Sequence, residues 1–196
     1  MLTIVWDVDD VLNDLMHAWF KHSWLADHPD GKIRYEDLTG NPPHHLLGMT
    51  RQQYLRSLDA FRNSARGQAM LPNAALLKWF HVYGHLARHV ALTSRPLNTV
   101  PLLSQWVFRH FGVWIRTFAF VPARADKAIP FYDRDKRGYL KWLAKTDVLV
   151  DDSTENIKDA RDLGIKGLLY PRTWNRSDLT VDQLLRILTQ EVKAKK

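Results

Sequence analysis

A chain of 196 residues is long enough to bury a core of its own, as one domain or as one domain carrying an insert. Its 45% hydrophobic and 25% charged residues match an ordinary soluble globular protein, no apolar run reaches membrane-spanning length, and the absence of cysteine excludes disulfides and thiolate metal sites. Lys and Arg number 28 against 21 acids, a net charge of +7 that suits an anionic ligand, but the basic residues are scattered and form no compact run interleaved with aromatics.

Residues 2 to 6 are apolar and partly β-branched and predict a buried strand. Three carboxylates, Asp7, Asp9 and Asp10, follow within four residues. In an open parallel sheet the ligand crevice lies outside the carboxyl ends of the strands, so these acids are expected at a site and not in the core. Clustered carboxylates repel one another, and a divalent cation relieves them. A strand ending in Asp-x-Asp offers one carboxylate as nucleophile and ligand and a second as general acid/base. The same pattern also arises from acids that merely favour a helix N-terminus.

Leu12, Leu15, Met16, Trp19, Phe20 and Trp24 recur on one helical face, closed by His28-Pro29-Asp30-Gly31. After a loop through Gly40-Asn41-Pro42-Pro43, Thr50-Arg51-Gln52-Gln53 is a capping-box pattern, with Tyr54, Leu55, Leu58 and Phe61 turned inward. Residues 13–70 thus show helical periods and no strand alternation, and are far longer than an ordinary crossover. They are expected to form a small helical cap inserted into a core of residues 1–12 and 71–196. Five histidines in this block (His17, His22, His28, His44, His45) show no convincing ligand spacing.

Pro72-Asn73 predicts a helix start and Gly84 its C′ residue. A strand over 86–92 then ends in Thr93-Ser94-Arg95-Pro96, where hydroxyls and turn N–H groups can hold a phosphate oxygen. A helix over 101–111 closed by Gly112, a strand over 115–121 and a loop over 122–134 follow. Asp135 is placed to cap a helix that begins at Lys136. Val148-Leu149-Val150 is a short strand ending in Asp151-Asp152, with Ser153 opening the next helix. Gly164 ends that helix, 167–170 is a fifth strand, and Thr180-Val181-Asp182-Gln183 caps the last helix. Two strands ending in acidic pairs could share one Mg²⁺, a hard cation that takes oxygen ligands and accepts substrate phosphate.

Asp7-Val8-Asp9-Asp10-Val11-Leu12, Leu92-Thr93-Ser94, a lysine ahead of the fourth strand, and Val150-Asp151-Asp152-Ser153 together resemble, in order, the four motifs of the haloacid dehalogenase (HAD) superfamily of phosphotransferases. Lys136 suits the third motif best, with Lys141 and Lys145 as alternatives. Asp7-Val8-Asp9-Asp10-Val11, Thr93-Ser94 and Tyr170-Pro171-Arg172-Thr173-Trp174-Asn175 resemble most the 5′(3′)-deoxyribonucleotidase-type group. Asp10 departs from the pattern, standing where many members carry glycine.

The resemblance implies an α/β Rossmann-like parallel sheet of about five strands flanked by helices, and Mg²⁺-dependent hydrolysis of a phosphate monoester. It implies Asp7 as nucleophile and Asp9 as acid/base, with Thr93, Ser94 and Lys136 on the phosphoryl oxygens. The metal would be held by Asp7, the Asp9 carbonyl, and Asp151 or Asp152. The expected partner is a small phosphate monoester such as a (deoxy)nucleoside monophosphate, with a sugar phosphate or phosphoglycolate as alternative. A non-catalytic HAD scaffold binding nucleic acid is the rival reading, favoured only by the charge. No membrane partner is expected, and a homo-oligomer is compatible with the pattern. Lack of cysteine, and an N-terminus that reaches acids by residue 7 without a basic leader, fit the cytoplasm.

Overall fold

The computed structural model describes residues 1–123, 130 and 132–194. Five parallel strands form one sheet in the order β3-β2-β1-β4-β5. They are β1 (Leu2–Trp6), β2 (Ala87–Arg95), β3 (Ile115–Pro122), β4 (Val148–Asp151) and β5 (Lys166–Leu169). The chain leaves β1 in one direction for β2 and β3, then returns to add β4 and β5 on the other side. The order therefore reverses between β1 and β4, and that is where an open α/β sheet opens a crevice beyond its strand ends. Both acidic pairs of the sequence stand at this point.

Every residue of β1 is buried, as a central strand covered on both faces requires. Leu2, Ile4 and Trp6 pack with Leu76 and Phe80 of α5 (Ala74–Tyr83), Leu103 and Val107 of α6 (Val100–Phe111), and Leu184 and Leu188 of α9 (Val181–Ala194). Val5 faces the other way, with Leu140 of α7 (Lys136–Leu143) and Ile157 and Ala160 of α8 (Thr154–Asp162). The period-2 alternation of the strand thus sorts the helices into two layers.

Between β1 and α5 the chain builds a third, helical layer. Helix α1 (Leu15–Trp19) widens into an i→i+5 turn at Phe20–Trp24 and ends as α2 (Leu25–Asp27). Then come α3 (Arg51–Asn63) and the short α4 (Ala65–Gln68). Leu15, Trp19, Phe20, Trp24, Leu58 and Phe61 form an apolar cluster of their own. Burying each large side chain there is worth roughly 1.5–3 kcal/mol. The capping box at Thr50 is formed in both directions, Gln53 N–H to Thr50 Oγ1 at 3.2 Å and Thr50 N–H to Gln53 Oε1 at 2.8 Å.

Several expectations shift. The second strand runs on through Thr93, Ser94 and Arg95, still paired with Phe120, Val121 and Pro122, so it extends three residues past the expected end at Leu92 and keeps the two hydroxyls at its carboxyl end. Gly84 has φ −59 and is not a left-handed C′ residue. It is needed for space, because a Cβ there would come within 2.7 Å of the Trp114 ring. Gly164, by contrast, has φ +77 and does close α8 by the left-handed route. The expected loop over 122–134 falls largely outside the described residues. Among the described residues, no helix is long and apolar enough to cross a membrane.

Candidate active site

The chain after β1 turns sharply. Asp7 caps its own turn, with Oδ1 accepting from Val8 N–H at 2.8 Å, and Asp10 adopts φ 59, ψ 14. This left-handed conformation favours glycine and tolerates Asp best among the rest. Asp10 also gains a role that glycine lacks, since its Oδ1 accepts from Met16 N–H at 2.8 Å in the first turn of α1. The helix cap one expects of Asp14 is absent, and Asp10 replaces it.

At the β1/β4 switch point Asp7, Asp151 and Asp152 each place a carboxylate oxygen within 4.8 Å of one another, all three buried. Lys136, at the start of α7, puts Nζ 2.7 Å from Asp7 Oδ1 and 2.7 Å from Asp151 Oδ2. Lys141 and Lys145 are exposed. Burial works against the Lys136 charge, but Asp151 and Asp7 outweigh it and raise its affinity for the proton. Burial pushes Asp7 well above the usual carboxylate range, with Asp151, Asp152 and Asp9 adding to it against the pull of Lys136. Burial, with Asp151 and Asp10, pushes Asp152 up to about 7.

The two β4 acids are not equivalent. Asp151 accepts from Lys136, from Ser153 N–H at 2.9 Å, and from Asn156 Nδ2 at 3.0 and 3.1 Å on its two oxygens. That set fills the lone pairs a carboxylate offers. Among the described residues the Asp152 carboxylate accepts one hydrogen bond, from Trp174 Nε1 to Oδ2 at 2.8 Å, and it lines the cleft. Asp152 is therefore the acid with coordination capacity to spare.

Asp9 lies apart from this triad, gripped by arginine. Arg95 holds it bidentately, Nε to Oδ2 at 2.6 Å and Nη2 to Oδ1, while Arg62 of α3 reaches Oδ2 at 3.2 Å. Burial alone would raise the Asp9 carboxyl, but Arg95 and Arg62 outweigh it and hold it at about 2. Neither arginine was singled out from sequence. Arg95 could have been flagged as the cation directly after Thr93-Ser94, whereas Arg62 gives no local signal.

Thr93 is buried and Ser94 exposed, and both line a cleft of about 810 Å³ together with Asp7, Asp9, Lys136 and Asp152. The opposite wall comes from the helical layer, with Met16, Tyr54, Leu58, Arg51, Arg56 and Arg62. Tyr35, an aromatic between α2 and α3, is not among its lining residues. It packs instead against His17, Phe20 and Trp174. Tyr54 takes the aromatic place in the wall although it also belongs to the layer's apolar cluster.

Solved structures share this architecture over nearly their whole length. A haloacid dehalogenase-like hydrolase from Streptococcus pneumoniae matches with TM-score 0.62 at 10% identity, over 97% of this chain and 98% of that one. A HAD-superfamily hydrolase of subfamily IA from Geobacter sulfurreducens matches with TM-score 0.54 at 12% identity, over 97% and 96%. CbbY from Rhodobacter sphaeroides, solved in complex with xylulose-1,5-bisphosphate, matches with TM-score 0.51 at 16% identity, over 94% and 96%. The fold is HAD-like. At these identities the likeness shows fold and not activity. No protein-family model matches the sequence, and no curated protein matches it. In this HAD-like frame Asp7, Asp9 and Asp10 after β1, Asp152 after β4 and the hydroxyls of Thr93 and Ser94 at the end of β2 line one crevice.

The donor set suits a hard divalent cation. Three buried carboxylates converge, and burial together with the neighbouring carboxylates pushes Asp7 and Asp152 towards neutrality.

Proposed function

We propose that the protein is a Mg²⁺-dependent phosphate monoester hydrolase that acts through an aspartyl-phosphate on Asp7. The observation that carries this reading is the floor of the cleft, where Lys136 bridges Asp7 and Asp151 beside Asp152, Thr93 and Ser94. Asp7 and Asp152, with the Asp9 carbonyl, would hold the cation. When bound, it supplies the positive charge that keeps Asp7 ionised and screens an incoming phosphate.

Asp7 attacks phosphorus, and the bond to the leaving oxygen breaks as that oxygen takes a proton from Asp9. Asp9 then removes a proton from water, whose oxygen attacks the phosphorus of the aspartyl-phosphate, releasing phosphate and regenerating Asp7. Lys136 and the hydroxyls of Thr93 and Ser94 hold the phosphoryl oxygens as charge spreads over them. Arg95 and Arg62 hold Asp9 ionised, so Asp9 must leave that grip to act as the acid.

The helical layer, residues 13–70, acts as a roof that restricts the cleft to small molecules. Tyr54 with Met16, Leu55 and Leu58 offers a flat apolar wall for a nucleobase, which supports a (deoxy)nucleoside monophosphate. A second reading rests on Arg51, Arg56 and Arg62 in the same wall, which suit a substrate whose leaving group carries its own anion, such as phosphoglycolate. Hydrolysis of a generic aryl phosphate tests the common part. Wild type is expected to turn over with Mg²⁺, to stop with chelator and to recover when Mg²⁺ is restored. Turnover indifferent to chelator refutes the metal reading.

A further inference from the structure

After β5 the chain does not run directly into α9. Residues Arg172–Asn175 reach back to the carboxylate cluster and to the turn where β1 hands over to the helical layer. Arg172 donates from Nε to the Asp10 carbonyl at 2.6 Å and from Nη2 to the Asn13 carbonyl at 3.2 Å and Asp14 Oδ1 at 2.6 Å. Asn175 fixes the strap's own turn. Its Nδ2 donates to the carbonyls of Asp152 and Tyr170, both at 2.8 Å, and its Oδ1 accepts from Arg172 N–H at 3.1 Å.

Trp174 sits between the two ends of this strap. Its Nε1 donates to Asp152 Oδ2 at 2.8 Å, the one hydrogen bond that this carboxylate accepts among the described residues. Its ring packs against the apolar cluster of the helical layer and meets the edge of Tyr35 at 6.4 Å with an interplanar angle of 90°. One indole thus touches a carboxylate of the triad at its nitrogen and the helical layer at its ring. A carboxylate with a single hydrogen bond would otherwise rotate freely, and groups that orient metal ligands from behind typically govern how tightly the ion is held.

We infer that Trp174 is a positioning residue, which orients Asp152 towards Asp7 and Asp151 for a divalent cation and ties the affinity for that cation to the seating of the helical layer. The inference rests on the cation-binding part of the reading above.

Calorimetric titration of the full chain with Mg²⁺, and with Mn²⁺ as a second probe, tests it without any substrate. Trp174→Phe keeps the ring and removes the N–H, and is expected to weaken binding by about tenfold to a hundredfold. Tyr35→Ala leaves the N–H in place and loosens the ring's seat, so a smaller loss in the same direction is expected. Trp142→Phe, on a ring 72% exposed, should leave affinity unchanged. Melting of the metal-free variants separates positioning from general damage. A Trp174→Phe protein that melts earlier yet binds the cation as tightly as wild type overturns the inference alone. A Tyr35→Ala protein of wild-type affinity overturns the coupling to the helical layer. Wild type that binds neither cation overturns the inference together with the reading of the site.

Discussion

One residue separates Asp7 from Asp9, yet their surroundings hold them in opposite states. Burial among carboxylates favours the protonated form of Asp7, while two guanidinium groups keep Asp9 ionised. On the proposed mechanism Asp7 must be ionised to attack, so it would depend on the charge of Lys136 and of a cation. Asp7→Asn keeps the size and removes the attacking charge. Turnover of an aryl phosphate should fall by about a thousandfold or more, ~4 kcal/mol, with the fold retained by circular dichroism. Near wild-type turnover would end the covalent mechanism. Lys136→Ala removes a charge-assisted contact worth roughly 1.5–3 kcal/mol, so the rate should drop by more than about tenfold. Lys141→Ala, on an exposed side chain, should be silent in the same assay. The reverse pattern would move the phosphate contact to Lys141.

At the scale of elements, the ends of β1 and β4 bring their acids together at a cost that depends on pH. Asp152 is raised from 3.8 to about 7, so the folded chain keeps a proton that the unfolded chain releases over that interval. The contribution of Asp152 to the stability of the metal-free protein therefore falls as pH rises from about 4 towards 7. Asp152→Asn removes this contribution while its side-chain oxygen can still accept from Trp174. The variant should melt higher than metal-free wild type at pH 8, with the difference shrinking at pH 4.5. An advantage that is the same at both values would mean that Asp152 carries no such penalty. The junction of α5 with the sheet makes a different demand. Gly84 lies against the indole of Trp114, itself packed against Phe80 and His81 at ring distances of 5.5 and 4.8 Å. Gly84→Ala forces that ring to move, at a cost of about 1–3 kcal/mol and a Tm lowered by several degrees. An unchanged melting curve would show that the ring has room.

Over the whole molecule, the cleft has an acidic floor from the sheet and a basic, partly aromatic wall from the helical layer. On the proposed reading the floor takes the phosphoryl group whatever the substrate, so selectivity would come from the wall. Tyr54 and its apolar neighbours favour a nucleobase, and the arginines of α3 favour an anion. Comparing kcat/KM for nucleoside monophosphates, sugar phosphates and phosphoglycolate decides between them. The nucleotidase reading expects a nucleoside monophosphate to lead. A preference of about tenfold or more for a sugar phosphate or phosphoglycolate, ~1.4 kcal/mol, would reverse it.

All five strands and the capping boxes at Thr50 and Thr180 were legible in the sequence, because hydrophobic period and cap chemistry are local and act within a few residues. Both acidic pairs could be read as strand ends for the same reason. The grip of Arg62 and Arg95 on Asp9 could not, since those partners lie 53 and 86 residues away and their meeting depends on how α3 and β2 pack. The inequality of Asp151 and Asp152 is likewise a tertiary fact. In sequence they are adjacent and chemically identical, but one is filled by Lys136, Ser153 and Asn156 and the other is held, among the described residues, by Trp174. Tyr35 illustrates the same limit from the other side, for a loop aromatic has no period to say which way it faces. Sequence determined the secondary elements and the order of the chemistry along the chain. Packing decided which charges meet, because electrostatics and burial act through space between residues that the chain keeps far apart.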